Sequence, residues 1–185
     1  MIAALAGRRR DALDAETVRF PANRIASVEG AIYRQLQVDR VRAIACAAAS
    51  GADLLALRAA QELGLRRRIV LPFSVDAFRE GSVVDRAGPF EWGPLFDRFV
   101  REARASGDLV TLDLDPLDPA AFEQANCAIL DEVLTLAAQA SDVAMAIVVW
   151  DAERRSSRDF TGHFADEAQR RRIPIASIPI LGPPG

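Results

Sequence analysis

Residues 43–73 read AIACAAASGADLLALRAAQELGLRRRIVLPF. An apolar run closes on five small residues, Ala47-Ala48-Ala49-Ser50-Gly51. A leucine-rich stretch follows, and a second apolar run ends at Leu71-Pro72-Phe73. That order is a strand, a helix and a second strand, one βαβ unit. The turn between strand and helix carries almost no side-chain bulk, so a ligand can approach its backbone. A helix N-terminus also offers unpaired N–H groups and a partial positive charge, which suit an anion. The stretch predicts a parallel sheet and a small anionic ligand of the nucleotide kind.

The same alternation extends outward. Upstream, Ile2–Leu5 reads as a strand ending at Gly7, and Pro21 to Val38 as a helix with Ile25, Val28, Ile32 and Leu36 at helical spacing. Within the unit, Val41–Cys46 is a strand, Gly51–Leu65 a helix and Arg68–Leu71 a strand. Ser50 and Asp53, three apart, resemble a capping box with Asp in place of Glu. Downstream, Val75–Glu80 reads as a short helix, Arg79 to Pro94 as a loop and Pro94 to Ala105 as a helix. Leu109–Leu112 follows as a strand. Asp118-Pro119 signals a helix start with Pro in the first position, running to Ala140. Val143–Val149 is the most apolar strand. Ser156–Asp159 reads as polar loop, Gly162–Arg172 as the last helix and Ile173–Ile178 as the last strand. These units predict one α/β domain over residues 1–180, a Rossmann-like three-layer sandwich with a mainly parallel sheet, and a tail over 181–185. Ligands of such sheets bind beyond the carboxyl ends of the strands. Gly7–Asp11, Ala47–Asp53, Pro72–Ser82 and Trp150–Thr161 are therefore expected at one edge.

Composition narrows the partners. Half of the 185 residues are hydrophobic, enough for a substantial core, and the formal net charge is −3. A general nucleic-acid binder would be basic, so none is expected. All 23 basic residues are Arg, which excludes a P-loop lysine and a Schiff-base lysine. Two cysteines, Cys46 and Cys127, make no disulfide framework and fit a reducing compartment. The N-terminal MIAALAGRRR has its charges after the apolar run, the reverse of a signal peptide. No stretch reaches the length of a membrane span. A cytoplasmic chain is expected, with no membrane partner.

Candidate site residues follow from the loops. Arg9, in Gly7-Arg8-Arg9-Arg10-Asp11, can grip a phosphate; the alternative is a solvated run of charges. Ser50-Gly51-Ala52-Asp53 offers backbone N–H groups to a phosphate and Asp53 to a hydroxyl, against plain helix capping. Phe78, Glu80 and Ser82 can wall a pocket, with Phe78 against a base and Glu80 or Asp53 as acid or base; an ordinary covering loop is the alternative. Asp151 ends the buried strand. His163 is the sole histidine, and with Cys46 and Cys127 in apolar segments no zinc set is expected. No Gly-x-Ser-x-Gly turn occurs.

In order, these motifs resemble the SLOG superfamily, the Rossmann-like group of Smf/DprA-like and LOG-like proteins. The likeness is to a bacterial branch with the pattern G-H-R-x-D, R-F-P, G-A-A-x-G-x-D, L-P-F, S-V, W-D and G-G-T. Gly7, Arg9 and Asp11 match the first motif, with Arg8 in place of its His. Arg19-Phe20-Pro21 matches the second, and Ala47 to Asp53 the third without its first Gly. Leu71-Pro72-Phe73, Ser82-Val83, Asn126, Trp150-Asp151 and Thr161 follow. The resemblance implies a nucleotide or nucleotide-derived ligand, read by a sensor or cleaved at its N-glycosidic bond. LOG-like enzymes use a P-G-G-x-G-T-x-x-E loop. Here the segment is Ser156-Ser157-Arg158-Asp159-Phe160-Thr161, where only Thr161 survives, Arg158 is a substitute phosphate ligand and Glu167 is off the catalytic spacing.

The ligand-binding set is thus Gly7, Arg9, Ser50, Gly51, Asp53, Ser82, Asp151 and Thr161, with Glu80 and Asp53 the candidate acids, and no metal or cofactor. Sensing without chemistry is the first reading and hydrolysis of nucleoside 5'-monophosphates the second. A third is an assembly module that self-associates through an apolar helix face into a homo-oligomer.

Overall fold

A computed structural model describes residues 1–86, 90–151, 153–154 and 159–181. Strands β1 (Ile2–Gly7), β2 (Ala43–Cys46), β3 (Arg66–Leu71), β4 (Leu109–Thr111), β5 (Ala144–Trp150) and β6 (Ile175–Pro179) form one sheet in the order β4-β3-β2-β1-β5-β6. Every pairing is parallel. Helices α1 (Ile25–Val38), α2 (Ala52–Glu62) and α4 (Trp92–Ser106) cover one face; α5 (Ala121–Gln139) and α6 (Phe160–Arg170) cover the other. The short α3 (Val75–Ser82) packs beside α4. No helix among the described residues is long and apolar enough to cross a membrane.

Period-two alternation divides the core. Leu5, Ile44, Ile69, Ile147 and Val149 point to the α1/α2/α4 side, while Ala4, Ala45, Val70, Ala146 and Val148 point to α5 and α6. Burial of both faces explains why β5 reads as unbroken AMAIVVW. On the helices, Val28, Ile32 and Leu36 make one stripe, and Phe96, Phe99, Val100 and Ala103 another. Each fully buried large side chain contributes about 1.5–3 kcal/mol relative to exposure.

Several boundaries differ from the sequence reading for local reasons. β3 begins at Arg66, two residues early, because its arginines find acids. Arg66 bonds Asp108 at 2.7 Å, Arg67 pairs with Glu102, and Arg68 bonds Glu132 at 2.8 Å. Asp118 does not cap α5: its Oδ1 accepts the Ala120 N–H at 2.8 Å in a turn, and the helix starts at Ala121. α6 starts earlier, at Phe160, because Asp159 caps it by accepting the Gly162 N–H. α3 runs on to Ser82, and α4 begins at Trp92, which shortens the intervening loop. A 3₁₀ turn, Ala22–Arg24, precedes α1. The Ser50/Asp53 capping box does not form. Gly51 is the N-cap, without a side-chain cap bond. The Ser156–Asp159 loop, with Arg158, and the tail beyond Leu181 lie outside the described residues, Asp159 and Leu181 excepted.

Candidate functional site

The chain leaves β1, crosses to β2 on one side, and later returns to β5 on the other. The sheet's switch point therefore lies between β1 and β5, where α/β sheets bind ligands. A cavity of about 310 Å³ opens there. It is lined by Leu5 to Arg9 from β1, by Ala47, Ala49 and Asp53 from the β2–α2 turn, and by Phe78, Gly81, Ser82 and Arg86 from α3 and beyond. Phe122, Ala125, Asn126 and Ile129 of α5 and Phe160 and Thr161 of α6 close the other side.

Two glycines let these segments converge. A Cβ on Gly7 would lie 2.4 Å from the Ala52 Cβ and 2.8 Å from the Val149 carbonyl, so α2 packs on the β1 end only against a bare backbone. Gly51 has φ +105°, and its Cβ would lie 2.7 Å from the Arg10 amide nitrogen. Gly51 bridges Arg9 across an antiparallel contact flanked by Arg10 N–H to Ser50 O and Ala52 N–H to Arg8 O. The α2 turn is thereby largely satisfied from within. The Ala49 N–H goes to Asp53, Ser50 N–H to Ser82 O and Leu54 N–H to Ala49 O. Helix polarity remains, but these donors are already engaged by the chain.

The arginine run is not a solvated loop. Arg8 and Arg10 are both buried. The Arg8 guanidinium bonds Asp151 at 3.1 Å, Asp159 and the Glu153 carbonyl. Asp151 also pairs with Arg19. Burial pushes the Asp151 carboxyl up, but Arg19 and Arg8 outweigh it and hold it below the usual carboxylate range. Arg9 is held otherwise. Its Nη2 pairs with Asp85 and lies 3.5 Å from the Ser50 Oγ, and Nη1 reaches the Gly81 carbonyl at 3.4 Å. Its Nε is buried without a hydrogen-bond partner among the described residues, and so is the Ser82 Oγ. Both residues line the cavity. Buried polar atoms left unpaired cost about 1–3 kcal/mol each, which a ligand bonding them would recover. Arg86, lining the same cavity, has its pKa lowered by burial and then by the Arg9 charge.

Asp53 is buried at the cavity wall. Burial drives its carboxyl up to about 7, against backbone N–H bonds from Ala49 and Ala47 and the charge of Arg9. It is the one carboxylate among the described lining residues, which also carry three arginines, Arg8, Arg9 and Arg86. Opposite, Phe122 and Phe160 lie 5.0 Å apart between ring centroids, and Phe73 meets Phe122 edge-on. Asn126 donates to the Phe160 carbonyl at 2.8 Å and ties the two helices together.

Of the residues expected from sequence, Gly7, Arg9, Asp53, Phe78, Ser82 and Thr161 line this cavity. Ser50, Gly51, Asp151 and Glu80 do not. Ser50 lies beneath Arg9, Gly51 packs on the arginine loop, Asp151 locks Arg8 and Arg19, and Glu80 is exposed on α3. Phe122, Phe160 and Arg86 were not anticipated. Phe122, Ala125, Asn126 and Ile129 do share a helical face at i, i+3, i+4 and i+7, but only the strand order turns that face toward β1.

Fold and site together define a doubly wound α/β chain with a cationic, partly aromatic cavity at its switch point. No family model matches the chain, and no curated protein matches it. Among solved structures it is similar to DNA processing protein A (DprA) from Streptococcus pneumoniae, with 15% identity and a TM-score of 0.43. The alignment covers 95% of this chain and 58% of that one, so this chain spans little more than half of that protein's length. A likeness that distant carries no functional argument, and the fold class rests on the sheet itself.

Proposed function

We propose that the chain binds a nucleotide or nucleotide-derived ligand in the switch-point cavity and acts as a sensor or signalling module. The pair of buried, unpartnered polar atoms, Arg9 Nε and Ser82 Oγ, carries this reading. A phosphate on Arg9 and Arg86 relieves the repulsion between two adjacent guanidiniums. Asp53 and Ser82 suit sugar hydroxyls, and the Phe122/Phe160 side suits a base. A volume near 310 Å³ is at the small end for ligand sites, which favours one nucleoside unit over a dinucleotide. The SLOG-type order of motifs in the sequence points the same way.

Asp53 supports a second reading, hydrolysis of nucleoside 5'-monophosphates, because a carboxyl near pKa 7 can serve as acid or base at neutral pH. Titration calorimetry with a nucleoside 5'-monophosphate and its parent nucleoside tests the first reading. The expected result is binding that requires the phosphate and weakens roughly 10–100-fold in Arg9→Ala, the loss of one charge-assisted bond. Equal affinity for both compounds, or none for either, would overturn it. Chromatography of the same mixtures for released base decides between sensor and hydrolase.

A further inference from the structure

A different face of α5 carries Cys127, and α6 brings His163 and Glu167 to it. One ligand atom from each lies within 4.8 Å of the others. His163 and Glu167 are four residues apart and share a helix face, with His163 Nε2 3.6 Å from Glu167 Oε1. Glu167 is buried, while Cys127 and His163 are half-buried. An open cavity of about 530 Å³ lies alongside, lined by Cys127 and His163 together with Glu123 and Asp131. Sequence alone did not suggest this set, because the cysteines and the histidine are remote from each other and Glu167 carries no motif.

We propose that Cys127, His163 and Glu167 form a binding site for a divalent transition metal of the zinc type, with water from the adjoining cavity as fourth ligand. Sulfur, imidazole nitrogen and carboxylate oxygen are the donors zinc prefers, and three protein ligands plus water make an open tetrahedral site. Zinc–ligand bonds of about 2.0–2.3 Å place donors roughly 3.3–3.8 Å apart, so the group closes by small side-chain rotations. On binding, the Cys127 S–H bond breaks, a sulfur–metal bond forms and the proton leaves to water. Thiolate and carboxylate then balance the two positive charges.

The surroundings fit this role. Glu167 also pairs with Arg170 at 2.6 Å and lies 3.6 Å from Arg171 Nε, but a carboxylate has about four acceptor positions, which leaves room for a metal. Arg171 is drawn off toward Asp131 and the Cys127 carbonyl. Asn126 Nδ2, which donates to the Phe160 carbonyl, lies 3.4 Å from His163 Nδ1, and Asn126 also lines the switch-point cavity.

Cobalt(II) titration of the metal-free full chain tests the proposal. The expected result is one equivalent bound, with intense tetrahedral d–d absorption and a sulfur-to-cobalt charge-transfer band. Zinc should displace the cobalt stoichiometrically. Cys127→Ser should abolish the charge-transfer band, and Glu167→Gln should weaken binding more than about 100-fold, beyond what loss of an outer-shell group costs. Cys46→Ala should leave the band intact, and circular dichroism checks that each variant is folded. Absence of the band in the wild-type chain, or its persistence in folded Cys127→Ser, would overturn the proposal.

Discussion

Arg8 and Arg9 are consecutive residues at the end of one strand, yet they do opposite work. Arg8 is sealed, with Asp151, Asp159 and a carbonyl around a guanidinium that water barely reaches. Arg9, about a quarter exposed, is held by one ion pair and two long contacts and keeps a buried Nε unpaired at the cavity. One arginine satisfies the fold, and the other leaves bonding capacity for a ligand. Both line the cavity, and it is their partners that separate the two fates.

That contrast is broken most severely at Arg8. Arg8→Ala strands the buried Asp151 with half its charge partners and should cost about 3–5 kcal/mol in chemical denaturation. Asp53→Asn should act in the opposite direction. Its folded pKa of about 7 lies above the ordinary 3.8, so wild-type Asp53 opposes folding more strongly as pH rises from about 4 to 7, and by a constant amount above that. The variant should gain stability over wild type across that window, on the order of 4 kcal/mol, with no gain at pH 4. A pH-independent difference would show that Asp53 is not held protonated by its surroundings. Gly7→Ala should cost about 2 kcal/mol by overpacking against Ala52 and Val149. Arg9→Ala should shift stability by less than about 1 kcal/mol, as expected for a partly exposed pair, while removing ligand affinity. A large loss of stability there would erase the distinction from Arg8.

The sheet was legible because a strand buried on both faces must read as a continuous apolar run, as Ala144–Trp150 does. Strand order was not, since nothing in β5's sequence says that it lies beside β1. Without that order, nothing singled out Phe122 and Phe160 as cavity walls. Charge misled: Arg66 and Arg67 read as lying outside the strand, and a solvated loop stayed open for Arg8, because the acids that neutralise them lie some 35 to 150 positions away. Gly51 and Ser50 stood out in sequence as ligand contacts; in the structure Gly51 takes a positive φ and Ser50 bonds the Arg10 and Ser82 backbone in a close crossing.

Thermal unfolding of wild type and Arg9→Ala, each against nucleoside mono-, di- and triphosphates, cyclic nucleotides and NAD-derived compounds, tests the central claim most directly. A ligand at 100 times its dissociation constant stabilises by about 2.7 kcal/mol, a shift of roughly 5–10 °C for a chain of this size. The account predicts such a shift with one phosphate-bearing class in the wild type and its loss in Arg9→Ala. No shift with any compound, or the same shift in both proteins, would contradict it.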